Sequence, residues 1–508
     1  MKIHNVVKAN AYFDSVTLML FSSKLNTIEG VQQAAVMMGT DHNKELMKNS
    51  GILTVEFASS VKSNDLVIGI KAVTQEALDL AIKTLEEQFE NKTKAVSGEK
   101  VSFKTVEAAV KNTADLNFAI VSLPGRFAKT EAMKCLKNGM NVLLFSDNVS
   151  IEEENELKDY AVEHQLLLMG PDCGTAIING VALGFANVVK KGNIGLVAAS
   201  GTGLQEATVI IDKLGSGISQ ALGTGGRDVK DAVGGKTMLL ALEALSKDPQ
   251  TNVIGIVSKP PSPSVLNKIV NLVSTFDKPV VACFLGASLD VFADTKIIGC
   301  ETVEDAAYAL VNISTQQSLK PGSLTDDEKS IRSTSGKYLR GLYTGGTLAY
   351  EAMLILKHQL GSIYSNIASD EQYLLKDPEL SHQHTIIDMG EDYFTDGMPH
   401  PMIDPRLRSE RIKKEMKDAD TAVLLLDCVL GYGSHSDPAG ALVEAIIEGR
   451  KTQTNENIIL IASVCGTEAD PQRRSAQEEQ LRQAGVIVMP TNAQAARLAA
   501  YVLGQKGA

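Results

Sequence analysis

The sequence contains no tryptophan, and aromatic residues make up only 5% of its 508 positions. Basic residues are outnumbered, with 49 Lys and Arg against 61 Asp and Glu, which gives a formal net charge of −12. Such a chain repels polyanions, and no basic stripe with interleaved aromatics offsets this, so we expect no nucleic-acid partner. No apolar run is long enough to span a membrane, and the start lacks a charged segment followed by an apolar one. These absences predict a cytoplasmic protein without membrane contact.

Cysteine is also sparse. The six cysteines lie far apart, without a C-x-x-C pair and without a histidine at metal-ligand spacing. We therefore expect reduced, largely buried thiols and no metal site.

Alternating apolar strands and amphipathic helices fill most of the chain and predict an α/β fold with tandem parallel sheets, Rossmann-like and flavodoxin-like. In the first segment Ser15–Leu20 and Asp65–Ile70 are predicted to be strands of a small α+β domain of ferredoxin-like type. The predicted domains are that α+β domain at 1–95, a partial Rossmann-like domain at 96–188, and parallel-sheet domains at 189–322 and 336–508.

The fourth segment repeats the element order of the third. A turn and helix at 344–356 and strands at 422–427 and 458–464 follow in the same order as 200–211, 253–257 and 280–284. This order indicates an internal duplication. Duplicated α/β units often pack about a pseudo-twofold axis, which would bring the starts of the two corresponding helices together at the carboxyl ends of the strands.

Two glycine-containing turns lie at these helix starts. They are Ser200-Gly201-Thr202-Gly203 and Thr344-Gly345-Gly346-Thr347. Each is expected to leave unpaired backbone N–H groups at the positive end of a helix dipole, which predicts a phosphate or carboxylate site without a basic side chain. The alternative is that glycine only permits the turn and Ser or Thr only caps the helix. Neither turn has a P-loop lysine or a G-x-G-x-x-G pattern.

Other loops after predicted strands offer polar candidates. A loop stiffened by three prolines at 398–406 presents His400, Asp404 and Arg406. His435 lies in a second loop. Arg473 and Arg474 could bind a carboxylate or phosphate in bidentate fashion. The alternative interpretation is that these are solvated loop residues.

Residues 192–206, 223–228 and 246–251 resemble the α subunit of succinyl-CoA synthetase, as does Met169–Gly174. From Leu342 onward the chain resembles the carboxy-terminal domain of the β subunit. Together with the extra front domain and the strings Tyr-Thr-Gly-Gly-Thr and Pro-His-Pro-Met-Ile-Asp-Pro, nearly the whole chain resembles the FdrA family. The resemblance implies that Ser200–Thr202 and Thr344–Thr347 begin two helices that face one phosphate.

The chain departs from the succinyl-CoA synthetases at several points. The loop at 286–294 has no histidine where those enzymes carry a phosphohistidine, and Lys259 lies where they have a glutamate. The glycine loop for the CoA phosphates has no counterpart in 96–188, and the ATP-grasp domain is absent. The sequence thus requires no cofactor, and CoA and ATP binding by this chain alone are not supported.

The FdrA resemblance implies a subunit of an oxamate carbamoyltransferase of purine and allantoin degradation, which works with two partner proteins on phosphate or carbamoyl phosphate and oxamate or oxalurate. Candidate catalytic residues are then Lys259, His400 and His435. Substrate-binding candidates are Arg227, Asp404, Arg406 and Arg473. The alternatives are an acyl-CoA synthetase that phosphorylates His400 or His435, and a non-catalytic scaffold that binds an anion.

Overall fold

The computed structural model describes residues 2–9, 11, 13, 15–58, 60–95, 102–332, 336–395, 398–455 and 457–504. The chain divides into two compact units. The smaller unit comprises residues 1–116 and 395–404, and the larger unit comprises 117–394 and 405–508.

The smaller unit contains one antiparallel sheet of three strands in the order β1-β3-β2. Its elements are β1 Lys2–Lys8, α1 Ser15–Asn26, β2 Val31–Met38, α2 Asp41–Asn49, α3 Val55–Ala58, β3 Leu66–Ala72, α4 Gln75–Ala95 and α5 Val106–Asn112. The predicted mixture of strands and helices is confirmed for this α+β domain. The order departs from the ferredoxin-like type, because the two short helices α2 and α3 separate β2 from β3.

The prediction of a strand at Ser15–Leu20 was wrong, because this segment begins helix α1. Leu18, Phe21 and Leu25 are buried, and their spacing of three and four places them on one helical face. The short run Val-Thr-Leu-Met-Leu has strand-like composition, so only the residues beyond it reveal the helical period.

The larger unit begins with a parallel sheet of three strands, β4-β5-β6, followed by a hairpin of β7 and β8. The elements are β4 Phe118–Val121, α6 Gly125–Lys137, β5 Asn141–Leu144, α7 Ile151–Glu163, β6 Leu168–Met169, β7 Thr175–Ile178 and β8 Val181–Gly184. Strand β7 pairs with the later strand Ile218–Gly223, which lies beyond the predicted domain boundary at 188. That boundary therefore falls inside one continuous sheet.

The first repeat, residues 191–315, forms the rest of that sheet. Its elements are β9 Lys191–Ala198, α8 Gly201–Lys213, β10 Ile218–Gly223, α9 Lys236–Lys247, β11 Val253–Ser258, α10 Pro263–Val273, β12 Val280–Phe284, β13 Ile297–Cys300 and α11 Val303–Thr315. The strand order is β13-β12-β11-β9-β10-β7-β8, with the first five strands parallel. Both faces of this sheet are covered, as expected for strands that read as continuous apolar runs.

The second repeat, residues 338–504, follows a short helix and forms a parallel sheet in the order β15-β16-β14-β17-β18-β19. The elements are α12 Asp326–Ser330, β14 Tyr338–Tyr343, α13 Gly346–Leu360, β15 Tyr364–Ser365, β16 Thr385–Asp388, α14 Asp392–Thr395, α15 Arg406–Lys417, β17 Thr421–Val429, α16 Pro438–Arg450, β18 Ile459–Cys465, α17 Arg474–Gln483, β19 Ile487–Met489 and α18 Asn492–Gly504.

The two repeats share one topology. In the first repeat β9 lies between β10 and β11, and β12 and β13 follow beyond β11. In the second repeat β14 lies between β16 and β17, and β18 and β19 follow beyond β17. Apart from the additional two-residue edge strand β15, both have the flavodoxin-like order. This match confirms the internal duplication predicted from element order. Among the described residues no helix has the length and apolar character needed to cross a membrane.

Candidate anion-binding site

The first helix start, after β9, is capped by its own serine. Ser200 Oγ accepts a hydrogen bond of 3.0 Å from the backbone N–H of Gly203. In the described part of the chain, the N–H groups of Gly201 and Thr202 have no hydrogen-bond partner. Gly203 leaves no room for a side chain, since a Cβ there would lie 2.5 Å from Ser200 Oγ. Two amides at the positive end of α8 are therefore available.

The second helix start lies directly against the first. Ser200 Oγ and Thr347 Oγ1 are 2.5 Å apart, although 147 positions separate the residues. A Cβ at Gly345 would lie 3.0 Å from Thr202 Cγ2, so glycine is required there for the close approach. The prediction that the duplication brings the two turns together is confirmed.

The second turn, however, is partly filled by the protein itself. Asp427 accepts hydrogen bonds from the N–H of Thr344 at 3.0 Å and of Gly345 at 2.8 Å. Arg408 pairs with the same buried carboxylate at 2.8 Å. The expectation that this turn leaves its N–H groups unpaired is thus wrong for Thr344 and Gly345, because an internal anion already satisfies them.

The amides that begin α13 remain available. The N–H groups of Gly346 and Thr347 have no hydrogen-bond partner among the residues described. Beside them, the Asp388 carboxylate fills the space that a side chain at Gly346 would need. Burial raises the pKa of Asp388 to about 7, an effect that the nearby Asp427 strengthens and Lys259 opposes.

Lys259, the predicted catalytic lysine, follows β11. Its Nζ lies 5.0 Å from the ring centroid of Tyr350, on the second turn of α13. Partial desolvation lowers the pKa of Lys259 from its ordinary value, and the Asp388 charge opposes that shift. Lys259 thus extends from the first repeat toward residues of the second.

The loop after β12 also contacts α13. Gly286 has a φ of +87°, and a Cβ there would lie 3.3 Å from the Tyr350 hydroxyl. Residues 286–294 of this loop contain no histidine.

Two of the predicted arginines, Arg227 and Arg473, are already paired with neighbouring carboxylates. Arg227 pairs with Glu154 at 2.8 Å and donates to the backbone oxygen of Val149 at 2.8 Å. Arg473, at the start of α17, pairs with Glu468 at 3.3 Å on the surface. Their role in substrate binding stays a prediction.

The two predicted histidines and their loop partners are distributed over both units. His435 Nδ1 accepts from the N–H of Asp437 at 3.1 Å, in the loop after β17. His400 and the buried Asp404 belong to the smaller unit, whereas Arg406 begins α15 in the larger one. Desolvation lowers the pKa of His400 to about 4, so its imidazole is neutral at pH 7.

The cysteines behave as small buried apolar groups. All six are free, and five of them are buried. Burial raises the pKa of Cys173 to about 12, which disfavours the reactive thiolate. No group of three His, Cys, Asp or Glu side chains in the described ranges is placed to hold a metal ion.

Sequence reasoning missed the importance of Asp427 and Arg408. Asp427 interrupts an otherwise apolar strand, Thr421–Val429. A carboxylate at the carboxyl end of a buried parallel strand was the available signal. Arg408 gave none, because its partner lies 19 positions away on another element.

Models of three protein families match the chain. The CoA-ligase model matches residues 342–502, and the CoA binding domain model matches 189–286. The model for the heavy metal-associated domain of AllF matches residues 1–105.

Individual relatives agree with these matches. The chain is 42% identical over 507 residues to protein YahF of Escherichia coli K12, covering 98% of each. It is 30% identical over 190 residues to the α subunit of ADP-forming succinate–CoA ligase of Aquifex aeolicus, covering 36% of this chain and 61% of that subunit. The solved dinucleotide-forming acetyl-coenzyme A synthetase 1 of Ca. Korarchaeum cryptofilum overlaps with 17% identity and a TM-score of 0.34, covering 78% of this chain and 86% of that one.

The order of domains and the paired repeats define an α/β protein related to CoA ligases. Because the AllF-type front domain precedes them and the match to YahF is full-length, the chain belongs to the FdrA family.

The name of the front-domain family mentions heavy metals, but residues 1–105 contain no cysteine and only two histidines, His4 and His42. Soft metal ions prefer thiolate ligands, which this segment does not supply. The similarity of residues 1–105 to this domain therefore concerns the fold.

Proposed function

We propose that the protein is a cytoplasmic subunit of an oxamate carbamoyltransferase of purine and allantoin degradation, acting with two partner subunits. It binds phosphate, or the phosphate group of carbamoyl phosphate, where α8 and α13 begin. The observation that carries the proposal is the contact of Ser200 and Thr347 across the two repeats, with unpaired amides on both sides. Two helix dipoles with free N–H groups at one place favour a small polyanion.

The proposed reaction transfers a carbamoyl group between phosphate and an amide nitrogen. In the direction of phosphorolysis, a phosphate oxygen bonds to the carbamoyl carbon of oxalurate, the carbon–nitrogen bond breaks, and oxamate leaves. The departing nitrogen takes up one proton, and phosphate loses the proton of its P–OH group. Both transfers can pass through one carboxyl group.

Asp388 is suited to that proton transfer. Its pKa of about 7 allows it to give a proton to the leaving nitrogen and then to accept one from phosphate. Lys259 would neutralise part of the phosphate charge, and backbone N–H groups would stabilise the oxyanion that forms during attack. The site residues Ser200–Gly203 and Thr344–Thr347 would hold the phosphate.

A CoA ligase is the second candidate, because the CoA-ligase model matches residues 342–502 and the CoA binding domain model matches 189–286. Among the described residues, the turn that begins α6 offers one glycine to a CoA phosphate. That glycine, Gly125, packs against the carbonyl oxygens of Asp147 and Asn148, which repel an anion. The residues at this turn therefore do not fit a CoA phosphate.

The test is an assay of the chain purified with the proteins that co-elute with it. We expect phosphate-dependent cleavage of oxalurate to oxamate and carbamoyl phosphate, without a requirement for CoA or nucleotide. Thr347→Val should reduce this activity, whereas Thr452→Val, a change on the far side of the second repeat, should not. CoA-dependent release of phosphate from ATP would support the ligase instead. Phosphate binding without either reaction would support a non-catalytic scaffold.

A further inference from the structure

The first helix of each repeat carries a buried glutamate at the same place. Glu206 lies on α8 and Glu351 lies on α13, each five positions after the first residue of its helix. The repeats otherwise differ widely in sequence, so a shared buried acid at this position calls for a physical reason.

Each glutamate crosses to the opposite repeat. Glu206 Oε1 accepts a hydrogen bond of 3.0 Å from the backbone N–H of Asn492, the first residue of α18. Glu351 Oε1 accepts one of 2.8 Å from the backbone N–H of Val303, the first residue of α11. The first helix of each repeat is thus bonded to the start of the last helix of the other.

The two connections meet at one side chain. Asn492 Nδ2 donates to Glu351 Oε2 at 2.7 Å and to the backbone oxygen of Leu348 at 3.0 Å. The Asn492 backbone binds Glu206, so this residue links α8 and α13 directly.

Helix capping alone does not account for the arrangement. Helix α11 has its own cap, because Thr302 Oγ1 accepts from the backbone N–H of Asp305 at 3.0 Å. Burying a carboxylate also costs free energy, and burial raises the pKa of Glu351 to about 7. Glu206 and Glu351 both carry this cost of burial, at matching positions in the two repeats. We therefore expect them to be needed for the relative placement of the helices.

We infer that Glu206 and Glu351 are positioning residues that fix the distance between the starts of α8 and α13, and so the contact of Ser200 with Thr347. The hydrogen bonds of Glu206 and Glu351 are sufficient evidence for this positioning role. Its consequence for phosphate binding rests on the proposed function.

The experiment measures that distance with a chemical cross-link. In the full chain, Ser200→Cys and Thr347→Cys together place two thiols where the hydroxyl oxygens are now 2.5 Å apart. Oxidised glutathione then accepts the two electrons released when the sulfur–sulfur bond forms, and peptide mapping follows the rate. We expect rapid cross-linking in this background.

Glu206→Ala or Glu351→Ala should slow the cross-linking roughly five- to tenfold, the factor that one lost buried hydrogen bond gives. Glu206→Gln and Glu351→Gln keep an accepting oxygen and should restore most of the rate. If alanine unfolds the chain, Glu206→Asp and Glu351→Asp withdraw the carboxylate by about 1.5 Å and should slow the reaction similarly.

Leu442→Ala is the matched control. Leu442 is buried on α16, which packs on α15, α17 and β17, so its truncation destabilises the second repeat without touching the four helices concerned. Unchanged cross-linking in both glutamate variants, or equal slowing in the control, would overturn the inference.

The affinity for inorganic phosphate is measured in parallel, in chains without the added cysteines. A parallel loss of affinity in the glutamate variants supports the functional consequence. If the wild-type chain binds no phosphate, the proposed function fails, and the cross-linking result still decides whether the glutamates position the helices.

Discussion

The two repeats have the same strand order but opposite chemistry at the carboxyl ends of their strands. Where the second repeat has Asp388 facing Tyr343 in register, the first has Gly223 facing Ala198. On its other neighbouring strand, Ala198 pairs with Val257 of β11. The position in β17 of the second repeat that corresponds to Val257 is Asp427. One repeat thus keeps a neutral edge with open amides, and the other carries two buried carboxylates.

The corresponding turns of the two repeats therefore differ in role: one binds a carboxylate of the protein itself, and the other has amides available to an external anion. In the second repeat an internal anion, Asp427, occupies the amides of Thr344 and Gly345. In the first repeat only Ser200 caps the helix. An external anion therefore has the amides of α8 and the outermost amides of α13 available.

The largest effect is expected from removing the internal anion, Asp427. Asp427→Ala should destabilise the chain by about 3–5 kcal/mol, because it leaves the buried Arg408 without its carboxylate. Ser200→Ala, the corresponding loss in the first repeat, should cost only about 1 kcal/mol. Both values are measured by urea unfolding, and equal losses would mean that the two turns do not differ in role.

The second prediction concerns pH. The ordinary pKa of Asp388 is 3.8, and burial raises it to about 7 in the folded chain. Since the folded state binds this proton more tightly than the unfolded state, its stabilising contribution is complete below about pH 4 and is lost as pH rises to 7.

We expect Asp388→Asn to remove this dependence. The difference in unfolding free energy between wild type and variant should change with a slope of up to about 1.4 kcal/mol per pH unit between pH 4 and 7. Gly223 supplies no such group in the first repeat. A difference that is constant with pH would show that Asp388 does not titrate in this range.

The third prediction compares two glycines of one turn. Gly203→Ala places a Cβ 2.5 Å from Ser200 Oγ and 3.0 Å from Thr347 Cγ2, whereas a Cβ at Gly201 lies 3.4 Å from its nearest neighbour. Overpacking costs about 1–3 kcal/mol, so Gly203→Ala should weaken phosphate binding by about tenfold. Gly201→Ala, the matched control, should change it less than about twofold. Titration calorimetry measures both, and equal affinities would contradict the close contact of the turns.

The smallest expected effect belongs to Lys259. Lys259→Ala should weaken phosphate binding about threefold at low ionic strength and less at high salt, since partly exposed charges are screened. Lys268→Ala removes an exposed lysine of α10 that donates to Gly234, and should leave the affinity unchanged. Equal effects of the two changes would indicate a general effect of net charge.

Much of the fold was predictable because the chain alternates strongly between apolar strands and amphipathic helices. The duplication followed from element order, and the meeting of the turns at Ser200 and Thr347 followed from the duplication. Helix α1 was not predictable from Ser15–Leu20, because six residues do not reveal a helical period.

The site was harder to predict than the fold. Asp427 binds amides 83 positions earlier in the chain, and Arg408 reaches it from a separate helix. Such partners are set by packing between elements, which no local pattern encodes. The pairing of Arg227 with Glu154 is another example. Arg227 was predicted to bind substrate, but it already binds this carboxylate of the protein.

The most direct test of the account is a crystal soaked in arsenate, whose anomalous scattering marks a phosphate-sized anion. We predict a peak within hydrogen-bond distance of the backbone nitrogens of Gly201 and Gly346, next to the contact of Ser200 with Thr347. A peak elsewhere in the larger unit, with none at this contact, would contradict the account.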